Sequence, residues 1–496
     1  MLWNKLAKHR ARMDQAKNYE QWKEAALELD YLEGNVEWKE AFSSPLYNYK
    51  LIYDRLTEIR SFQTQKNNFD LIRSLREGLH HDLGNMGDAR LYGRSHVGTK
   101  HLIEEYVNQV CSSLNYVCNT SIPELPLDDK IKFFKDTLLS FGRPALLLSG
   151  GATLGMFHIG VVKALWERGL LPSVIAGSSV GSVMAAMLGT HSDAELPNML
   201  DPDNHNLNAW KWNGILKGFA GKGFMDARQL RDCLRSNIGE FTFQEAYEKS
   251  GRSINITVSP VHQHQKPRLL SRFTSPYLLV WSGAQASCSV PGIFPPTKLV
   301  KKDREGELVP YMPRLRWIDG SVVDDLPIER LMHLHDVNFS IVSQTNPHIV
   351  PFMRLNDMEK KRSLLSLPSR LIKAEIGFHG KALFDVLRKT SSPELMRQVS
   401  GQIYTILAQK YYGDVTIAPH YTLKHYANML SNPSVEFVRE LTLAGERATW
   451  PKLAMIRTHA KISRTLERCM QQLESRRPQN RRSLKVIPIQ KAKNAS

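Results

Sequence analysis

The chain has 496 residues, 42% hydrophobic and 23% charged, an ordinary globular composition for about two to four domains of roughly 100–200 residues each. Its formal net charge of +17 indicates a polyanionic partner, either nucleic acid or an anionic membrane surface. Because the sequence contains no nucleic-acid-binding motif and no zinc-finger spacing, we expect a membrane surface and no nucleic acid.

The cysteines and the hydropathy pattern favour a cytoplasmic protein. The cysteines are few, odd in number and form no C-x-x-C motif, so reduced thiols are expected rather than a disulfide framework. They are Cys111, Cys118, Cys233, Cys288 and Cys469. The N-terminus lacks the apolar segment of a signal peptide. Residues 145–162, the longest nearly uncharged stretch, are interrupted by glycines and polar residues, whereas a membrane span needs about 20 mainly apolar residues.

Residues 1–140 are predicted to form a helical domain. Apolar residues recur at helical spacing between Tyr19 and Leu29. A second helix is expected to begin at Ser44-Pro45, because serine is a favoured cap and proline is tolerated in the first helical turn.

The pattern changes near residue 141. From residue 143 to residue 189 the sequence alternates a buried strand, a glycine loop, a helix, a second strand and a second helix. This order is typical of an α/β fold with a mainly parallel sheet, which we expect over residues 141–350. Further strands are predicted in residues 253–260, 314–319 and 339–345.

The C-terminal part is predicted to be helical again. Residues 351–474 are expected to contain helices and one short strand near residues 413–419. Residues 475–496 contain seven Lys or Arg and no acidic residue, which predicts a disordered basic tail.

A serine lies at the end of the second strand of the predicted core. Gly177, Ser179 and Gly181 fit the pattern G-x-S-x-G, which on a strand-to-helix turn is the nucleophile elbow. The two glycines would let the strand and the helix approach closely, with Ser179 held out at the tip. Small residues at tight strand–helix turns are also common for structural reasons alone.

A serine nucleophile also needs donors for the oxyanion that forms during acyl transfer. The backbone N–H of Val180 would open the following helix and point into the site. A second source is the loop of residues 149–155, where Gly150, Gly151 and Ala152 would expose backbone amides and Gly155 ends the loop. The alternative is a phosphate-binding loop for a nucleotide. It is disfavoured because no lysine follows and an alanine replaces the third glycine.

The general base is expected at the end of another strand. Asp319 follows two apolar residues and precedes the turn Gly320-Ser321, which places an acid at a sheet edge. Asp324 and Asp325 are rivals that we interpret as loop or capping acids. His158 is the histidine alternative, but its position within a helix favours packing or hydrogen bonding rather than catalysis.

The order of glycine loop, G-x-S-x-G and D-G-x resembles the patatin-like phospholipase family. That resemblance implies a doubly wound α/β fold and a Ser–Asp dyad without a catalytic histidine, so Ser179 would be the nucleophile and Asp319 its base. It places the oxyanion hole in the loop 150–155 and needs neither a metal nor a cofactor. Residues 286–296, ASCSVPGIFPP, resemble the stretch that lines the family's site, with Cys288 as a small buried residue.

Three positions depart from the family pattern. Ala152 stands where glycine is usual, Leu154 where Arg or Lys is usual, and Ser321 where Gly or Ala is usual. Ala152 keeps its backbone N–H and remains a donor if its φ angle is negative. The loss of the basic residue puts any charge-based role at position 154 in doubt.

Several longer segments resemble the triacylglycerol-lipase branch of that family, which carries a helical N-terminal domain. They include WKEAALELDYLEGNVEWK, LHHDLGNMG, GGATLGMFHIGVV and DGSVVDDLPIERL. Some members of the branch also carry an H-x-x-x-x-D acyltransferase signature. The fit here, His9 with Asp14, lies in a basic N-terminal helix and is interpreted as a chance match.

A lipase must reach its ester at a lipid surface. Trp3, Leu6, Tyr19 and Trp22 lie among basic residues, a combination that suits a membrane interface, and a basic helix is predicted over residues 360–389. Taken alone, aromatics at helical spacing more often pack on a neighbouring helix, and basic residues more often lie on a solvated face. We therefore expect a lipid acyl-ester hydrolase that is peripherally associated with an anionic membrane or a lipid-droplet surface. Its substrate would be an acylglycerol or a phospholipid. The alternatives are a phospholipase A or lysophospholipase with transacylase activity, and a non-enzymatic lipid-surface protein.

Overall fold

The structure, a computed structural model, describes residues 2–214, 223–261, 266–321, 325–351, 353 and 411–477. The helix predicted over residues 360–389 and nearly all of the predicted basic tail lie outside these residues, as does Asp324. Within the described ranges, no helix combines the length and the apolar character needed to cross a bilayer.

The part of the chain before the sheet is helical, as its apolar periodicity predicts. A single residue separates the end of its last helix from the first strand. Its helices are α1 (Leu2–Gln15), α2 (Tyr19–Leu32), α3 (Asn35–Glu40), α4 (Tyr49–Thr64), α5 (Asn68–Glu77), α6 (Ala89–Gly93), α7 (His101–Asn119) and α8 (Leu127–Phe141).

The strands form a mixed sheet with a mainly parallel centre and a separate two-stranded ribbon, β5–β6. The strands are β1 (Arg143–Leu148), β2 (Val174–Gly177), β3 (Ser253–Pro260), β4 (Arg268–Ser271), β5 (Leu299–Lys302), β6 (Leu308–Tyr311), β7 (Trp317–Asp319), β8 (Val337–Ser343) and β9 (Val415–Ile417). The main sheet has the order β4-β3-β2-β1-β8-β9, and β7 pairs with β3. The predicted α/β fold is confirmed.

Helices cover the sheet and continue beyond it. They are α9 (Phe157–Glu167), α10 (Val180–Thr190), α11 (Leu196–Met199), α12 (Ala227–Ile238), α13 (Phe243–Ser250), α14 (Val280–Ser287), α15 (Ile328–His335), α16 (Leu423–Ala427), α17 (Val435–Thr449) and α18 (Leu453–Ser475). Every residue of β2 and of β3 is buried, as expected for strands covered on both faces.

Helix α4 begins later than the sequence predicts. The Asn48 side chain caps it by accepting a hydrogen bond from the Leu51 amide, at 3.2 Å. The Ser44 hydroxyl instead accepts from the amide of Leu46 in a turn. The predicted start at Ser44-Pro45 is wrong, because Asn48 rather than Ser44 caps the helix.

An aromatic cluster joins α2 to the C-terminal helices. Tyr19 and Trp22 are buried, and their rings lie 6.4 and 6.3 Å from that of Trp450. These two side chains belong to the core, so the expectation that they meet lipid is wrong. Trp3 is 80% exposed on α1.

The sheet register places the functional loops side by side. Strands β1 and β2 are parallel, with Leu148 opposite Gly177, so the loops that follow them leave at the same edge. Strand β3 is parallel to β2, and Gly177 pairs with Ile256. Strand β7 runs antiparallel to β3, with Asp319 opposite Val258, so its last residue reaches the same edge. Ligands bind at this edge in open α/β sheets.

Helices α9 and α17 cross in close contact at a pair of glycines. A Cβ on Gly160 would overlap the carbonyl oxygen of Thr442, and a Cβ on Gly445 would overlap that of Phe157. Because α9 begins just after the glycine loop, this crossing sets the distance between that loop and the C-terminal helices.

Replacing Gly160 by alanine should therefore destabilise the fold. The added methyl group meets backbone atoms that cannot rotate away, and overpacking of this kind costs about 1–3 kcal/mol. Urea unfolding should show this loss for Gly160→Ala. The matched control, Gly93→Ala at the end of α6, has no heavy atom within 4 Å of its new Cβ and should change stability by less than about 0.5 kcal/mol. Equal stability of the two variants would contradict the close crossing.

Candidate functional site

Ser179 lies at the turn between β2 and α10 in a strained backbone conformation. Its φ and ψ angles are 50° and −125°, which non-glycine residues rarely adopt. A Cβ on Gly177 would overlap the carbonyl oxygen of Gly181, and a Cβ on Gly181 would overlap that of Leu148. Strand and helix are so close that glycine is required at both positions, which is the geometry of a nucleophile elbow.

Hydrogen bonds to neighbouring segments hold the elbow in place. The Ser179 amide donates to Ser287 Oγ at 2.9 Å, and Ser287 Oγ donates to the carbonyl oxygen of Thr257 at 2.8 Å. The hydroxyl of Ser178 donates to the carbonyl oxygen of Asp325. Ser178 thus faces away from the site, and Ser179 faces the cavity.

Asp319 is fully buried beside the elbow. Its Oδ1 accepts a hydrogen bond from the Ser321 amide at 2.8 Å, and its own amide donates to the carbonyl oxygen of Ser289. Burial raises the pKa of Asp319 to about 6, although hydrogen bonds from Ser321 and Ser179 act in the opposite direction. A Cβ on Gly320 would overlap the Thr257 carbonyl oxygen, so this turn also requires glycine.

The contact between Asp319 and Ser179 is close but incompletely aligned. The Ser179 hydroxyl is near enough to lower the pKa of the carboxyl group. Within the described residues, however, Asp319 Oδ2 has no partner at full hydrogen-bond geometry. Catalytic hydrogen bonds are often long without substrate and tighten when it binds, so this geometry is compatible with a later hydrogen bond between the two side chains.

The glycine loop lies against the elbow. A Cβ on Gly150 would be 3.4 Å from that of Ser179 and 3.5 Å from that of Ser321. A Cβ on Gly155 would overlap the side chain of Val180. The residues that the sequence selects for an oxyanion hole are therefore brought together with the serine.

One of the amides predicted to donate to the oxyanion donates to a side chain instead. The amide of Gly150 donates to Asp325 Oδ1 at 3.0 Å, so the expectation that it serves the oxyanion is wrong. Asp325, expected to be a loop or capping acid, thus binds the glycine loop and, through its carbonyl oxygen, the elbow. In the described structure the amides of Gly151, Ala152 and Val180 have no protein acceptor and remain candidates.

Ala152 has a positive φ angle of 49°, so the negative angle expected for it is wrong; its amide nevertheless has no acceptor within the described residues and stays a candidate donor. The left-handed conformation is the one in which glycine is usual, and it costs other residues about 1–2 kcal/mol. The substitution of alanine at this glycine position therefore strains the loop without removing its N–H.

His158 supports the loop from the opposite side. Its Nε2 donates to the carbonyl oxygen of Ser149 at 3.0 Å, and its Nδ1 accepts from Ser343 Oγ at 2.7 Å. Burial lowers its pKa to about 4, so the ring is neutral near pH 7. His158 does not line the cavity, which agrees with a packing role.

An apolar cavity of about 270 Å³ opens beside Ser179 and Asp319. The glycine loop and residues 288–294 form one part of its wall, as the sequence predicts. Helices α9 and α10 and residues 346–348 also line the cavity. Sequence reasoning missed a further part of the wall, which comes from α12, from the segment around Trp210 and from residues 429–433. The larger apolar side chains of this part are Leu207, Trp210, Leu230, Leu234, Met429, Leu430 and Pro433.

The structure disfavours a catalytic role for Cys288 and for the pair His9 and Asp14. Cys288 lines the cavity, but burial, together with the charge of Asp319, raises the pKa of its thiol, which disfavours a thiolate nucleophile. His9 and Asp14 lie on α1 and are not among the described residues that line the cavity.

Known proteins match nearly the whole chain. Triacylglycerol lipase 4 of Saccharomyces cerevisiae is 36% identical, and the match covers 93% of this chain and 52% of that protein. Triacylglycerol lipase SDP1L of Arabidopsis thaliana is 37% identical, covering 92% and 58%. Triacylglycerol lipase ptl3 of Schizosaccharomyces pombe is 35% identical, covering 91% and 94%. The chain thus spans little more than half of the first two relatives and nearly all of the third.

The strained serine, the buried carboxyl group and the unpaired amides at the edge of a parallel sheet define an α/β protein with a nucleophile elbow. A family model described as patatin-like phospholipase matches residues 146–332, and one described as a domain of unknown function (DUF3336) matches residues 2–138. With the relatives above, these matches mean that the chain belongs to the patatin-like phospholipase family, as its motifs predict.

Replacing Ala152 by glycine should stabilise the protein. Glycine adopts the left-handed conformation without strain, and its greater freedom in the unfolded chain offsets part of the gain. We expect the free energy of unfolding to rise by about 0.5–1 kcal/mol in urea titration.

Ala186→Gly, in the middle of α10, is the matched control and should lower stability by about 1 kcal/mol. A similar loss in both variants would mean that the backbone at residue 152 is not left-handed.

Proposed function

We propose that the protein hydrolyses the carboxylic esters of lipids, with Ser179 as nucleophile and Asp319 as its general base. The observation that carries this proposal is the strained Ser179 at the elbow tip, whose hydroxyl interacts with a carboxyl group of raised pKa. Membership of the patatin-like phospholipase family and relatives named triacylglycerol lipases support ester hydrolysis.

In the first half of the reaction Asp319 accepts the proton of the Ser179 hydroxyl while Oγ bonds to the ester carbonyl carbon. The carbonyl oxygen becomes an oxyanion, to which the amides of Val180, Gly151 and Ala152 can donate. When this intermediate collapses, the bond to the alcohol oxygen breaks. The departing alcohol takes the proton from Asp319, and the acyl group remains esterified to Ser179.

In the second half water replaces the alcohol. Asp319 takes a proton from the water as its oxygen attacks the acyl carbon, and the same amides hold the second oxyanion. Collapse breaks the bond to Ser179 Oγ, which recovers a proton from Asp319. The products are a free fatty acid and the unmodified enzyme.

The cavity wall favours a neutral ester as substrate. Among the described residues that line it there is no Lys or Arg to form an ion pair with a phosphate group. We therefore propose triacylglycerol as the preferred substrate, in line with the names of the relatives. A phospholipase A or lysophospholipase activity with transacylation is the second candidate, supported by the family description.

A lipid-binding protein without catalysis is the alternative of another class. Binding alone would require neither a strained serine nor a buried acid beside it, so retention of both disfavours this function. We propose that the protein acts at the surface of an anionic membrane or a lipid droplet.

Replacing Ser179 by alanine should abolish hydrolysis of both p-nitrophenyl butyrate and emulsified triolein, with unfolding unchanged. Asp319→Asn keeps the shape but removes the base, so turnover should fall by about 10²–10⁴-fold. A fluorophosphonate probe followed by peptide mass analysis should locate its adduct on Ser179.

Ser178→Ala and Cys288→Ala are the matched controls, because both residues are neighbours of the site. Each should keep most of the activity and the probe adduct. An adduct on Ser178 or Cys288 would refute the nucleophile, and labelling of Ser179 without turnover of any ester would favour the non-enzymatic alternative.

Asp319 should control the pH dependence. A base must be deprotonated to act, and its pKa is about 6, so kcat/KM for p-nitrophenyl butyrate should rise with pH through about 6 and then level off. His158, with a pKa of about 4, titrates below this range. His158→Gln should therefore leave the midpoint unchanged. A midpoint that moves in this variant would assign the base role to the histidine.

A further inference from the structure

An exposed apolar side chain lies at one end of the cavity. Leu430 both lines the cavity and is 40% exposed, so it marks the opening. It belongs to residues 423–433, which comprise α16 and the loop that leads to α17.

The inner side of this segment is hydrogen-bonded to the glycine loop and to the segment around Trp210. The amide of Thr153 donates to the Met429 carbonyl oxygen at 3.1 Å, and Thr153 Oγ1 donates to that of Ser431 at 2.8 Å. The backbone of Trp210 and the side chain of Asn432 exchange two hydrogen bonds, at 2.7 and 2.8 Å. These four hydrogen bonds hold the segment beside the cavity.

The outer side of the same segment presents apolar groups to solvent. Leu423 is 87% exposed. Tyr426 lies three residues further along α16, on the same face, and its hydroxyl donates to the carbonyl oxygen of Pro347, a cavity-lining residue. Trp212, two residues after the cavity-lining Trp210, is 59% exposed and stacks on Phe224. We call Trp212, Leu423, Tyr426 and Leu430 the rim.

The rim differs from other exposed apolar side chains of the protein. Single exposed residues are normal on protein surfaces and need no explanation. The rim is continuous, through Leu430 and Pro347, with the apolar wall that leads to Ser179. On α16, Lys424 is paired with Glu440, which partly neutralises its charge.

We propose that the rim is the surface that docks on lipid, so that an acyl chain passes from the lipid phase into the cavity without crossing water. The proposal rests on the proposed function and names the face through which the substrate arrives. Docking occurs by insertion of apolar side chains into the headgroup and acyl boundary rather than by charge. It therefore differs from binding by the basic residues, which salt screens.

Flotation with triolein droplets coated with phosphatidylcholine tests the rim. The full chain carrying Trp212→Ser and Leu423→Asp is compared with wild type, at low and high salt. Neither residue lines the cavity. Removing two apolar anchors should weaken droplet association by about ten-fold or more, at both salt concentrations. Hydrolysis of emulsified triolein should fall in parallel, and that of p-nitrophenyl butyrate should stay within about two-fold.

The matched control carries Phe69→Ser and Leu139→Asp, which replace exposed apolar residues on α5 and α8, at 75% and 60% exposure. It should bind droplets like wild type. Unchanged droplet binding by the rim variant, or equal losses in both variants, would overturn the proposal. A lower unfolding temperature of the rim variant together with unchanged droplet binding would show instead that protein covers this face.

The experiments distinguish a failure of the catalytic proposal from a failure of the rim proposal. If wild type hydrolyses neither ester, the catalytic proposal is wrong, whereas flotation still reports whether the rim binds droplets. If wild type hydrolyses the soluble ester and binds droplets only at low salt, the rim proposal is wrong and the catalytic proposal stands.

Discussion

The site depends on the close approach of the N-terminus of α10 to the ends of β1 and β2. Gly177 and Gly181 allow backbone to touch backbone there, and this contact forces Ser179 into its strained conformation. Since β1 is parallel to β2, the glycine loop leaves the sheet beside the elbow. Since β7 is antiparallel to β3, Asp319 arrives at the same edge from the opposite direction. Any side chain at either glycine would separate the three parts.

Around this contact, buried polar groups hold the loops that follow the strands. Asp325 accepts from the Gly150 amide and, through its carbonyl oxygen, from Ser178, so one residue connects the glycine loop to the elbow. His158 and Thr345 hold the same loop through the carbonyl oxygens of Ser149 and Gly150. The amides of Gly151 and Ala152, two residues that line the cavity, have no acceptor within the described part of the chain.

The sequence predicts the parts of the site that are encoded locally. The elbow follows from Gly177, Ser179 and Gly181, and Asp319 from its place after a strand and before a glycine turn; their catalytic roles remain predictions. The Gly150–Asp325 bond could not be predicted, because it joins loops far apart in sequence and no local pattern marks it. The start of α4 was misplaced because two competing caps lie close together. The cavity wall from residues 429–433 depends on tertiary packing alone.

The hydrogen bonds from Thr153 to Met429 and Ser431 link the glycine loop to a segment made much later during translation. Ribosomes add about 5–20 residues per second, so the serine, the loop and the acid are all synthesised many seconds before this support emerges. A nascent chain, or one that terminates before residue 429, therefore holds all the reactive groups without the bonds that order them. The support of the glycine loop by residues 429–431 therefore forms only after the C-terminal segment has been synthesised.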